Sequence, residues 1–220
     1  MVGGGRWGRN HVRTLDEMGM LGGFVEVDAD RRAALAARHP EAASFGSIEE
    51  AVGGPFDGFV IATPAHTHER LARLVIERGR HVLVEKPLAL HSRQARDLCG
   101  AAERAGVNLM VGHVLLFHPA IRTIGDIIRG GQDSKIGRLQ YLYSNRLNLG
   151  TVRTEENILW SFAPHDISIF QYWIGARPLE VESRGGVFLQ PHIHDTTLTT
   201  LRYPDNVVGH VFLSWLHPYK

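Results

Sequence analysis

Cys99 is the single cysteine in 220 residues, so no internal disulfide can staple this chain. Its place in an alanine-rich helical pattern predicts a small core residue in a reducing compartment. Neither sign of charge is in excess. Twenty-four basic and 23 acidic residues leave a formal net charge of +1 with no block of like charge, so there is no electrostatic footprint for nucleic acid or an anionic membrane. No apolar run reaches the ~18 residues that span a bilayer. The chain opens on glycines rather than on the basic and then apolar stretch of a secretory signal, and a cytoplasmic location is expected. Internal repeats and low-complexity segments are also lacking. What remains, 44% hydrophobic and 21% charged residues, suits a globular protein of one large or two modest domains.

Glycine is the residue present in an informative pattern. Gly3, Gly5 and Gly8, with Arg6 and Trp7 between them, make a GxGxxG that leads into helical spacing at Val12, Leu15 and Met18. Such a turn lets the backbone approach a pyrophosphate, and the helix N-terminus offers unpaired amides to its oxygens. A strand follows over 23–28, and Asp28 lies 20 residues past Gly8, where an acid would bond a ribose hydroxyl and favour NAD over NADP. The competing reading makes Asp28 or Asp30 the N-cap of a helix over 31–38. Only Met1 and Val2 precede the first glycine, although a strand normally leads into this turn. Either the start lies upstream or the sheet carries a gap.

Strand and helix patterns then alternate, which predicts a doubly wound α/β parallel sheet. The run 58–63 reads as a buried strand stopped by Pro64, and 81–84 as another that ends in Glu85-Lys86-Pro87. Ligands in such sheets bind beyond the carboxyl ends of the strands, so Thr63, Pro64, His68, Glu85 and Lys86 are candidates for the cofactor groove. His66 and His68 could equally be a solvated loop and helix start. Ser92 can cap a helix closed by Gly106, and 108–112 is a further strand.

The pattern changes near 118, giving a dinucleotide-binding domain over 1–118 and an α+β domain over 119–220. In the second, 139–146 is a strand, and 195–203 with 207–215 reads as a hairpin across Pro204-Asp205-Asn206, so its sheet is mainly antiparallel. Pro164 suits the first turn of a helix running to Gly175. His165 would then sit at the helix start, where the dipole keeps an imidazole neutral and basic. On a strand His192 and His194 would share a face, but two ligands with Asp195 pointing oppositely do not make a metal site, and no metal is expected.

The GxGxxG, Ala62-Thr63-Pro64, Glu85-Lys86-Pro87 and the later helical histidine, in that order, resemble the glucose-fructose oxidoreductase and inositol dehydrogenase family. The resemblance covers nearly the whole chain. More closely, Val111-Gly112-His113 with His118-Pro119, the stretch 143–150 and the stretch 157–167 are similar to bacterial UDP-N-acetylglucosamine and UDP-N-acetylglucosaminuronate 3-dehydrogenases of cell-surface polysaccharide biosynthesis. The resemblance implies a Rossmann domain followed by a substrate and oligomerisation domain. It implies NAD as cofactor, a UDP-sugar or other small polyol as substrate, and a homodimer or homotetramer. It also implies pyrophosphate contacts from Gly3, Gly5 and Gly8, a ribose contact from Asp28, and Lys86 and His165 in the active site.

Oxidising a sugar hydroxyl requires a base, assigned here to His165, and a group that stabilises the forming alkoxide, assigned to Lys86; the swapped roles stay open. Arg146 and Asn148 are candidates for the diphosphate or sugar, or are sheet-edge residues bonding backbone. His113 and His118 are candidates for the substrate cleft. Two departures stand out. Many relatives carry an aspartate four residues before the histidine, where this chain has Ser161, and the family continues well beyond Trp215-Leu216-His217-Pro218. The chain is therefore expected to be truncated at both ends. A dehydrogenase of another polyol and a non-catalytic NAD-binding protein are the alternatives.

Overall fold

The computed structural model describes residues 1–130, 136–150, 152–154 and 156–218. The chain divides into two compact units, Met1–Gly112 and His113–Lys220. The division falls a few residues before the expected change at 118, so the 3-10 turn Val114–Phe117 belongs to the second unit.

In the first unit, β1 (Gly23–Val25), β2 (Ala43–Phe45), β3 (Gly58–Ile61), β4 (His81–Val84) and β5 (Leu109–Val111) alternate with α1 (Gly8–Glu17), α2 (Ala29–Arg38), α3 (Ile48–Ala51), α4 (His68–Glu77) and α5 (Ser92–Ala105). Every strand pairing is parallel, β1 with β2, and β3 with β4 with β5. The two groups meet at Val2, which bridges both Val25 and Ile61. Ile61, Val82 and Val84 from the strands pack against Leu71, Val75 and Leu98 from the helices, which is why those strands read as short apolar runs.

Two residues of α5 differ from expectation. Ser92 is the first helical residue of α5 and His91 is the N-cap, with no side-chain capping bond. Cys99 is exposed, because α5 turns Leu98 and Ala102 inward and the neighbouring position outward.

The second unit holds α6 (Pro119–Arg129), β6 (Tyr141–Leu147), α7 (Ile158–Ile174), β7 (Glu180–Gly186), β8 (Thr196–Arg202) and β9 (Val208–Ser214). The sheet order is β6-β9-β8-β7, with β7–β8 and β8–β9 antiparallel and β6–β9 parallel. The predicted hairpin turns through Asp205 and Asn206 at φ 57° and 60°, a left-handed conformation those residue types tolerate. Alternation buries Leu201, Val211 and Leu213 on one face, and Ile158, Ala163 and Phe170 of α7 cover it. Among the described residues no helix is long and apolar enough to cross a membrane, and no cluster of His, Cys, Asp and Glu could hold a metal ion.

Candidate functional site

The glycine turn divides its labour. Gly3 has φ +93°, and a Cβ there would come within 2.8 Å of the Ala62 carbonyl oxygen, while one at Gly8 would lie 1.8 Å from that of Gly3. Those two glycines let turn, strand and helix pack. Gly5 differs, because a side chain there would meet nothing within 4 Å. The space over Gly5 leaves room for an approaching pyrophosphate. Trp7 is the N-cap residue of α1, and both Arg6 and Trp7 are exposed beside this space.

The acid at the end of β1 is Glu26. It is buried, and its carboxylate accepts the N–H of Gly4 at 2.8 Å, the N–H of Asp28 at 2.9 Å and a guanidinium N–H of Arg31 at 3.2 Å. Burial pushes its pKa up, but the Asp28 N–H, the Arg31 guanidinium and the Gly4 N–H pull harder, and the net value lies below the usual carboxylate range. Asp28 instead caps α2, its Oδ1 accepting the N–H of Arg31 at 2.9 Å. The N-cap reading of Asp28 is what the geometry shows. β1 is only three residues long, so the strand ends earlier than the 23–28 run suggested.

Lys86 follows β4 as expected, and its surroundings are firmly tied. The N–H of Glu85 donates to the Ile61 carbonyl at 2.9 Å, which extends the β3–β4 ladder to the doorstep of the lysine. The Glu85 carboxylate accepts the Trp7 indole N–H at 2.6 Å, faces Nε2 of His11 at 2.7 Å and accepts the Lys86 N–H at 3.3 Å. Burial raises its pKa, yet His11 and Trp7 lower it further, and the net shift is downward. A Cβ at Gly112 would come within 2.9 Å of this carboxylate, so the residue that follows β5 is the one type that makes room for it. Glu85 thus links the nucleotide turn to the lysine.

On the adjoining exit, the Thr63 hydroxyl pairs with that of Thr67 at 2.6 Å, and the Pro64 carbonyl accepts the Thr67 hydroxyl at 2.7 Å. His68 does not line a groove. It is 1% exposed, and both ring nitrogens are engaged by backbone carbonyls. An apolar groove of about 430 Å³ lies at the opposite ends of the strands, lined by Met1, Phe24, Phe56 and Phe59, and contains none of these candidates.

In the second unit α7 begins earlier than expected, at Ile158, because the side chain of Asn157 accepts the Trp160 N–H at 3.1 Å and caps it. Pro164 therefore lies inside the helix, and His165 lies two turns from its start. His165 is therefore beyond the reach of the helix-terminal field, which fades within the first turn, and the expected neutralising effect of a helix start is absent there. The side chain of Asp166 is 5% exposed and is held by the Ser144 hydroxyl at 2.6 Å and by two guanidinium N–H groups of Arg146 at 2.9 and 3.1 Å. Arg146 is thus a structural clamp between β6 and α7, whatever else it touches. His118 is the N-cap of α6, accepting the Ala120 N–H on Nδ1 at 3.2 Å. His113, Asn148 and His165 are half-buried.

Sequence reasoning missed Glu26, His11 and Asp166. Glu26 alone carried a signal, an acid in the same short run as Asp28.

A parallel sheet with a glycine turn at its first helix, a buried acid at the next strand end and a lysine beyond β4 defines a dinucleotide-binding domain of the oxidoreductase type. The family follows from two matches: the oxidoreductase family with an NAD-binding Rossmann fold, GFO/IDH/MocA, over residues 1–113, and the C-terminal domain of the same family over residues 124–220. The chain belongs to that family. It is 28% identical over 186 residues to the UDP-N-acetylglucosamine 3-dehydrogenase of Acidithiobacillus ferrooxidans, a match covering 84% of this chain and 56% of that protein. It is 30% identical over 222 residues to the inositol 2-dehydrogenase 2 of Saccharopolyspora erythraea, covering 94% of this chain and 63% of that one. The solved structure of the A. ferrooxidans enzyme superposes with a TM-score of 0.86 at 25% identity. That of GenD2 from gentamicin A biosynthesis, in complex with NAD, gives 0.90 at 26%, and each comparison covers 100% of this chain and 66% of the other. The chain spans just over half the length of the first of these relatives.

Proposed function

We propose that the protein is an NAD-dependent oxidoreductase that oxidises the 3-hydroxyl of a UDP-N-acetylhexosamine, or of its uronate, to a 3-keto sugar nucleotide. The observation that carries the reading is Lys86, at the carboxyl end of β4 with Glu85 fastening its backbone to the nucleotide turn. In this reading Gly5 admits the pyrophosphate and Glu26, rather than Asp28, receives the adenosine ribose hydroxyls. Its three protein donors leave about one of its four lone-pair positions for them. Bound NAD supplies the hydride acceptor. The Lys86 ammonium donates to the sugar oxygen as negative charge builds on it, and His165 takes the hydroxyl proton. Asn148 and His113 contact the substrate, and Arg146 acts by fixing α7 through Asp166.

The identity to an inositol dehydrogenase favours a second reading, oxidation of a ring polyol by the same residues. One assay separates them. Protein and NAD⁺ are mixed with UDP-N-acetylglucosamine, with its uronate or with myo-inositol, and NADH is followed by absorbance. The first reading expects NADH from a nucleotide sugar and none from inositol; the reverse would overturn it.

A further inference from the structure

His68 is the first residue of α4 and one of the largest fully buried side chains of the first unit. Its Nδ1 lies 2.7 Å from the carbonyl oxygen of Pro87, and its Nε2 lies 2.8 Å from that of Thr63. A carbonyl oxygen only accepts, and a neutral imidazole carries a single N–H, so both contacts are hydrogen bonds only when each ring nitrogen bears a proton. Otherwise a nitrogen lone pair faces an oxygen lone pair in the interior, with neither group satisfied. Burying a cation is costly, and each charge-assisted bond to a carbonyl offsets part of that cost. The two N–H groups of an imidazolium diverge across a rigid ring, so one side chain spans oxygens on two separate strand exits.

The location gives the bridge its consequence. β3 and β4 pair through Ile61 and Val84, and the ladder ends with the Glu85 N–H on the Ile61 carbonyl. Thr63 and Pro87 lie beyond that last rung, on either exit. Lys86 is therefore anchored before it by Glu85, which Trp7 and His11 hold, and after it by Pro87, which His68 holds.

We propose that His68 is a positioning residue for Lys86, a doubly protonated ring that ties the carbonyls of Thr63 and Pro87 together and fixes the backbone from which the amine projects. This rests on the role given to Lys86 above.

Protein labelled with ¹⁵N-histidine is observed by long-range proton–nitrogen NMR at about pH 7.5, His68 being identified by its loss in His68→Gln. If that variant does not fold, His68 is identified by its solvent-protected ring protons. Two protonated ring nitrogens are expected; a single tautomer would overturn the bridge. Two further readouts address Lys86. In His68→Gln, kcat is expected to fall at least tenfold with the sugar KM and the NADH Kd within twofold of wild type. Unchanged kcat, or loss of NADH binding in step with it, contradicts the positioning role. Labelling of the Lys86 amine by acetic anhydride, read by mass spectrometry, should change at least threefold in rate in the variant, and an unchanged rate also contradicts it. Should wild type oxidise no sugar, the catalytic reading fails by itself, and the ring spectrum and amine labelling still decide the bridge.

Discussion

Glu26 and Asp28 stand two residues apart and do different work. The first is a buried acceptor at the end of a strand, wired to the glycine turn; the second is an exposed helix cap. Replacing Glu26 by Gln is expected to weaken NADH binding roughly tenfold, about 1.4 kcal/mol, by calorimetric titration. Asp28→Ala should lower stability by about 1 kcal/mol and leave NADH affinity within twofold. An equal loss of affinity in both would contradict the assignment. The sequence contained both acids, but where a three-residue strand stops is decided by pairing with its neighbours, and that is not written in a local pattern.

Glu85 adds a pH dependence. Its folded pKa lies below the usual 4.5, so the unfolded chain holds the proton more tightly. The stability it contributes is complete above the unfolded value and is lost as pH falls through the folded one. The melting temperature of wild type should therefore drop further than that of Glu85→Gln between about pH 5 and about pH 3. Parallel curves for the two proteins would remove Glu85 from the account.

At the scale of elements, in the proposed reading the glycine turn separates packing from binding. Gly8→Ala places a methyl 1.8 Å from the Gly3 carbonyl and is expected to cost about 3 kcal/mol or more, read by denaturant melts. Gly5→Ala has room, so its melting temperature should stay within about 2 °C of wild type while NADH affinity falls tenfold or more. A Gly5→Ala protein with full affinity would show that the open space is not the pyrophosphate's. The helix α7 offers a third test. Asn157→Ala removes its cap and should cost about 1 kcal/mol.

The elements that sequence periodicity revealed are those with a clear apolar side, β3, β4 and the β8–β9 hairpin among them. β7 was not legible, because Glu180-Val181-Glu182-Ser183-Arg184 is an exposed edge whose pairing with β8 leaves no alternation to read. The start of α7 was misplaced for a related reason. Pro164 is a good first-turn residue, yet the Asn157 cap and the apolar face from Ile158 extend the helix upstream of it.

For the whole molecule, the two-part plan was legible from the change of pattern alone. A parallel alternating sheet gives way to a sheet of order β6-β9-β8-β7. The candidate site was only half legible. Residues marked by glycine or by a strand end in a lysine announce themselves. Those that act by holding others, such as His11 on α1, His68 on α4 and Asp166 on α7, do so through contacts between elements far apart in sequence.

The central claim is that Lys86 serves the chemistry rather than cofactor binding. Lys86→Ala and wild type should be compared in one experiment, with NADH affinity from titration beside the initial rate of NADH formation from NAD⁺ and a UDP-N-acetylhexosamine. The account predicts equal affinity within about twofold and a rate reduced at least ~100-fold in the variant. An unchanged rate, or a rate lost only in proportion to NADH affinity, would contradict it.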